Sequence, residues 1–200
     1  MTSTQVLPED ELLVLKLEPI ISLTDEQFFE LCQLNRDLRI ERTTDGELLI
    51  MPPTGGNTGN RNLEIEGQLW LWNRQTKLGK AFNSSTGFKL PNGAERSPDA
   101  AWIRLERWET VPQDQQEKFV PLYPDFVVEL KSPTDSLTVL QNKMEGYIQN
   151  GAQLGWLIDR KQRRVYIYRA QTAVQCLENP STLDGEPVLS GFILDLSEVW

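Results

Sequence analysis

Three residue types at fixed spacing dominate the middle of the chain: Asp99 after a proline, Glu129 thirty positions on, and Lys131 two beyond that. Glu129 and Lys131 close the stretch Tyr123-Pro124-Asp125-Phe126-Val127-Val128-Glu129-Leu130-Lys131-Ser132-Pro133. Its centre is too short for a helix and rich in β-formers, and prolines bound it, so it reads as a buried strand. Side chains alternate faces along a strand at about 3.3 Å per residue, which puts Glu129 and Lys131 on one face roughly 6.6 Å apart. Phe126, Val128 and Leu130 point the other way, into a core. A carboxylate and an ammonium on so apolar a strand are costly to bury without partners. An ion pair on an edge strand is the plain explanation. Two carboxylates and a lysine are also what metal-assisted hydrolysis needs, because they hold a hard cation that lowers the pKa of a bound water while the lysine orients it or meets transition-state charge.

Composition narrows the chemistry further. The chain has no histidine, which removes the common zinc sets and the Ser-His-Asp triads. Its two cysteines, Cys32 and Cys176, are far apart and suit ordinary thiols in a reducing cytoplasm. Any metal must be hard and oxygen-bound, Mg²⁺ or Mn²⁺. A net charge of −9 argues against a broad nucleic-acid surface but leaves room for a local basic strip. No apolar run approaches the roughly 20 residues that span a bilayer, and no secretory signal opens the chain. Two hundred residues, 39% of them hydrophobic, suit one α/β domain over 1–200, with an N-terminal extension over 1–23 and C-terminal strands over 171–200.

The elements that must position these groups follow in order. An apolar stretch from Leu12 to Leu17 offers an edge strand. Thr24-Asp25-Glu26-Gln27 is a capping box that opens a helix through about Leu34. A hairpin follows, Leu38–Arg42 and Leu48–Met51 around Thr44-Asp45-Gly46. The glycine-rich run Pro53–Asn60 lacks a P-loop ending and reads as a loop that positions a helix from about Arg61 to Leu78, stopping at Gly79. That helix carries Glu64, which is either a solvated glutamate near a helix N-terminus or an acid facing a buried site. Strands are expected at 81–83, 87–90 and 97–103, with Asp99 at the start of the last. A helix opened by Ser132-Pro133-Thr134-Asp135 ends at Asn150-Gly151 and carries Lys143 and Tyr147 as an i, i+4 pair at the border of its apolar face. Strands 155–159 and 165–169 complete a mixed central β-sheet flanked by helices, in the α/β (α+β) class. The tail from Thr172 offers short strands without evident chemistry.

In this order the motifs resemble the PD-(D/E)XK nuclease superfamily, through Pro98-Asp99 and Glu129-Leu130-Lys131. More closely, the chain is similar to the Uma-type restriction-endonuclease family, through Met51-Pro52-Pro53-Thr54-Gly55-Gly56, Ser97-Pro98-Asp99-Ala100-Ala101-Trp102, Pro124–Asp135 and Gly155-Trp156-Leu157-Ile158-Asp159. The resemblance implies a restriction-endonuclease-like fold and a nuclease that cuts phosphodiesters with Mg²⁺ or Mn²⁺. Its metal ligands would be Asp99, Glu129 and the backbone carbonyl of Leu130. Lys131 would be the catalytic lysine and Glu64 the first-helix acid. Lys143 and Tyr147 resemble a Gln-x-x-x-Tyr helix motif that positions substrate, with Lys in place of Gln. A nucleic-acid partner, DNA, and a homodimer are implied as well, with Arg61, Lys77, Lys80, Lys89, Arg104 and Arg107 as candidate phosphate contacts. Asp125 lies four residues before Glu129, about 13 Å along a strand and too far to share one cation. The same fold without activity, as a binding or oligomerisation module, remains open.

Overall fold

A computed structural model describes residues 12–200. The start of the expected N-terminal extension, residues 1–11, lies outside the described residues. The chain runs β1 (Leu13–Leu15), α1 (Asp25–Leu34), β2 (Arg39–Arg42), β3 (Leu48–Met51), α2 (Gly56–Thr76), β4 (Gly79–Asn83), β5 (Phe88–Lys89), β6 (Glu95–Arg96) and β7 (Ala100–Arg104). It continues through α3 (Leu105–Trp108), α4 (Gln113–Gln116), β8 (Phe126–Leu130), α5 (Leu137–Gln149), β9 (Leu154–Asp159), β10 (Arg164–Arg169), β11 (Gln175–Glu178), β12 (Thr182–Asp184) and β13 (Ile193–Asp195).

Two larger sheets and a two-stranded one, β12-β13, make up the strands. A six-stranded sheet has the order β11-β10-β9-β8-β7-β4, with β8 and β9 parallel and every other pairing antiparallel. A five-stranded antiparallel sheet has the order β1-β3-β2-β6-β5. The parallel pair follows from the α5 crossover, since two parallel neighbours need a long connection. Alternation along β8 divides the core as expected. Phe126, Val128 and Leu130 enter the cluster under α2, while Val127 enters the cluster under α5 with Met144 and Tyr147. Among the described residues, no helix is long and apolar enough to cross a membrane.

Some expected boundaries move, and each for a physical reason. The Thr24–Gln27 capping box forms in both directions, so α1 starts as expected. The glycine-rich run does not stay a loop: α2 begins at Gly56, and buried Thr58 and Asn62 anchor its first turns. Packing outweighs the poor intrinsic propensity of Gly56 and Gly59 there. The helix ends on Lys77 in a left-handed conformation rather than at Gly79. Gly79 instead opens β4, where a Cβ would stand 2.2 Å from the Ile103 carbonyl. The strand expected from Ser97 starts at Ala100, because Glu95 and Arg96 pair in the other sheet. The helix expected from Ser132 starts at Leu137, after a turn in which Asp135 accepts from the Ser132 N–H.

The C-terminal tail is core. Leu183, Leu189, Phe192, Leu194, Leu196 and Val199 cover the sheet face beside α2, and Phe192 packs against both Trp72 and Trp156. Phe192→Ala should therefore cost about 3–5 kcal/mol, the usual range for emptying a buried aromatic site. Urea unfolding followed by tryptophan fluorescence would measure the loss; a change under about 1 kcal/mol would contradict this packing role.

Candidate active site

Asp99 sits one residue before β7, and Glu129 lies in β8, its antiparallel neighbour. Ala100 pairs with Val128, so the next step of the register sets Asp99 across from Glu129. The Asp99 side chain bends along the end of β8, and its Oδ2 accepts from the Leu130 N–H at 2.8 Å. Its Oδ1 faces Asn62 Nδ2 at 3.3 Å and Arg39 Nη1 at 3.5 Å. Both acids are buried, Glu129 to 3% exposure. The Leu130 backbone is thus held beside both acids, while its side chain packs in the core.

Glu129 does not stand alone. Its Oε1 accepts from Lys143 Nζ at 2.8 Å and from the Tyr147 hydroxyl at 3.0 Å. The i, i+4 spacing on α5 aims both groups at one carboxylate oxygen. The same Lys143 ammonium donates to Glu41 Oε1 at 2.9 Å, and Glu41 Oε2 accepts from Arg96 at 3.0 Å. Glu41 belongs to β2 in the five-stranded sheet, so one lysine joins the two sheets at the site.

These contacts set the protonation behaviour. Burial pushes the Glu129 carboxyl up to about 7 against the pull of Lys143, and the charges of Asp99 and Glu41 push the same way. Glu41 goes the other way. Burial alone would raise it, but Lys143, Arg96 and Arg39 outweigh that and hold it at about 2. Burial works against the Lys143 charge, yet Glu129 and Glu41 hold its pKa above the ordinary value. Tyr147 is raised well above its ordinary value by burial and by the two carboxylates, so its hydroxyl stays a donor.

Other expected residues fall differently. Lys131 Nζ donates to the neighbouring Ser132 carbonyl at 3.2 Å, and the ammonium at Glu129 is that of Lys143. Lys143 is no surface lysine: its side chain is 12% exposed. Glu64 takes a hydrogen bond from Gln68, whereas Asn62 is the α2 residue that touches Asp99. Asp125 is fully buried away from this chemistry, in an ion pair with Arg107 at 2.8 Å and a bond from the Arg104 N–H. Lys89 pairs with Asp25, and Arg104 lies 3.7 Å from Glu106. Sequence reasoning missed Arg39, Glu41 and Asn62. Alternation of charge with apolar residues in Arg39-Ile40-Glu41 was the available signal for the first two.

The oxygens present suit a hard cation. Asp99 is bonded to the N–H of Leu130, the residue after Glu129, Glu129 Oε2 has no hydrogen-bond partner among the described residues, and Asn62 Oδ1 is buried and unpartnered. No group of three or more His, Cys, Asp or Glu able to hold a metal occurs among the described residues. Two carboxylates with amide, carbonyl and water oxygens match the habit of Mg²⁺, which keeps several waters.

The mixed sheet with α2 and α5 on its faces and two acids at the β7–β8 junction defines a restriction-endonuclease-like nuclease fold. The chain belongs to the Uma2 family, described as putative restriction endonuclease, whose match covers residues 25–197. A solved structure described as a putative nuclease belonging to DUF820 from Anabaena variabilis is similar to it at 20% identity, with a TM-score of 0.68. That match covers 80% of this chain and 88% of the other. No curated protein matches the sequence. Family membership supports a nuclease role.

The ion-pair chain makes a pH-dependent contribution to stability. Glu41's folded pKa lies below its ordinary 4.5, so the stabilisation is present above pH 4.5 and lost as pH falls toward 2. A shift of that size corresponds to about 3 kcal/mol. The stability gap between wild type and Glu41→Gln in urea titrations should shrink by roughly that amount between pH 6 and pH 2. A gap independent of pH would refute the assignment.

Proposed function

We propose that the chain is a divalent-cation-dependent endonuclease that hydrolyses phosphodiester bonds in DNA. Asp99 and Glu129 would be its carboxylate ligands, the Leu130 carbonyl a further one, and Mg²⁺ or Mn²⁺ the cation. The observation that carries the reading is the 2.8 Å bond from the Leu130 N–H to Asp99, which ties the Pro-Asp turn to the residue after Glu129. Family membership supports the reaction class.

When bound, the cation supplies an activated water and offsets phosphate charge. The chain's own groups do the rest. Tyr147 and Lys143 both hold Glu129 Oε1, which fixes the carboxylate and leaves Oε2 for coordination. Asp99 is fixed likewise by Leu130 and Asn62. Lys143, rather than Lys131, is the lysine positioned to stabilise charge on the phosphate, since its ammonium is already in the cluster. Lys131 and Arg61 then serve as contacts to flanking phosphates, and a homodimer would bring two sites to the two strands of a duplex.

One feature favours a second reading, an inactive binding or oligomerisation module of the same fold. Asp99, Glu129 and Glu41 are matched in charge by Arg39, Lys143 and Arg96, so the cluster balances without a cation. Calorimetry with Mn²⁺ separates the two. An active site gives a binding heat that disappears in both Asp99→Ala and Glu129→Ala, whereas an inactive module gives none. In a plasmid-cleavage assay with Mn²⁺, either acid variant should fall to background and Lys143→Met should lose about 10²–10³-fold. Lys131→Ala should lose far less. Full cleavage by either acid variant would end the proposal.

A further inference from the structure

One turn along α2 from the site, the helix turns a stripe of Leu63, Glu66, Gly67 and Trp70 toward the edge strand β4. With Phe82 and Asn83 opposite, it walls a groove of about 450 Å³, within the range of small-molecule sites. Large apolar side chains here are left open: Trp70 is 51% exposed and Leu63 65%. The Arg74 guanidinium lies 5.0 Å from the Trp70 ring centre. Gly67 sits in the middle of a 21-residue helix, where glycine is disfavoured by roughly 1 kcal/mol relative to alanine. A Cβ at Gly67 would meet nothing within 4 Å, so its absence keeps the groove open rather than relieving a clash.

Two independent links join this groove to Asp99. Glu66 follows Asn62 by four residues, about 6 Å of helix rise, and Asn62 touches Asp99. On the other wall, Asn83 pairs with Ala100, the chain neighbour of Asp99, across a strand spacing of about 4.8 Å. The charge of Asp99 is among the influences that raise the Glu66 carboxyl, after burial. Glu66 Oε1 accepts from the Ser84 N–H at 3.1 Å, and the half-buried carboxylate keeps further lone pairs on the groove side.

We propose that this groove holds the nucleobase beside the scissile phosphate, turned out of its stack onto Trp70, and favours a base with an exocyclic amine over thymine. The inference rests on the nuclease reading for the identity of the ligand. An indole face offers base stacking, worth about 1–3 kcal/mol. The Glu66 carboxylate in the groove wall accepts from an amine such as cytosine N4, as acidic side chains do in base readout. It would face the carbonyl O4 of thymine without a proton between them. An apolar side chain from a second copy of the protein would cover Trp70 and Leu63 but take the Glu66 charge out of water without a new donor, so the base is the better fit.

The test is metal-free binding of labelled single-stranded d(C)12 and d(T)12, read by fluorescence anisotropy. Wild type should bind d(C)12 more tightly. Gly67→Leu, which fills the groove, and Trp70→Ala should each weaken d(C)12 by about tenfold without lowering the melting temperature. Glu66→Gln should erase the preference for cytosine. Equal binding of the two oligonucleotides, insensitive to Gly67→Leu and Trp70→Ala, would overturn the groove assignment even if the protein cleaves DNA. A change in oligomeric state with Gly67→Leu and none in DNA binding would overturn it in favour of a contact between copies. Groove-dependent binding in a protein that cleaves nothing would sustain the groove and refute the nuclease reading.

Discussion

A carboxylate buried at the end of an apolar strand is the constraint around which the protein is arranged. Glu129 would be expensive in that position if left unpaired. Lys143 and Tyr147 meet it from α5, and the same ammonium reaches Glu41 in the other sheet. One cation therefore fastens α5, the six-stranded sheet and the five-stranded sheet at a single point. Loss of either acid leaves Lys143 with one partner, whereas loss of Lys143 leaves two buried acids with none of its bonds. The lysine is the least replaceable member of the cluster.

Rigidity follows from the same bonds. A lysine on a free four-carbon stem samples many rotamers, and a lysine clamped between two carboxylates samples few. Groups fixed before a reaction need no reorganisation during it, which is the basis of electrostatic stabilisation in enzymes. The balance of charges has a cost for any such role, because an incoming cation must compete with Lys143 and Arg39 for oxygens they already influence. Proximity and competition come from the same side chains.

Much of this is legible in the sequence, and the failures have definite causes. Strand alternation assigns the faces of β8, and the spacing of Pro98-Asp99 and Glu129 puts two acids on adjacent strands. What a period cannot give is depth. The i, i+4 pair Lys143 and Tyr147 is visible at the border of a helix face, but the sheet-to-sheet closure that buries it depends on Glu41, far away in the chain. Lys131 looks the better candidate because it is close in sequence, yet it lies beyond the end of β8 and its amine satisfies a local carbonyl. Glu64 is turned away from Asn62 by helix phase: two residues along α2 is roughly 200° around the axis. The tail reads as peripheral because its apolar residues are scattered among turns, and only packing assembles them into the cover over Trp156.

Asp99 depends on a joint that no local pattern reveals. The chain passes from β6 in one sheet to β7 in the other through Ser97-Pro98-Asp99. Both backbone groups of Ser97 are taken by side chains of β2: its N–H donates to Glu41 at 3.0 Å, and its carbonyl accepts from Arg39. Proline at 98 has no N–H to satisfy and fixes its own φ. With the residue before it pinned twice, the direction in which Asp99 leaves the turn is set by the hairpin rather than by its own strand. Arg39 then reaches Asp99 itself at 3.5 Å, so the group that fixes the turn also adjusts the acid's charge environment. The five-stranded sheet contributes none of the acids proposed as ligands, yet it aims one of them and shares the lysine that holds the other.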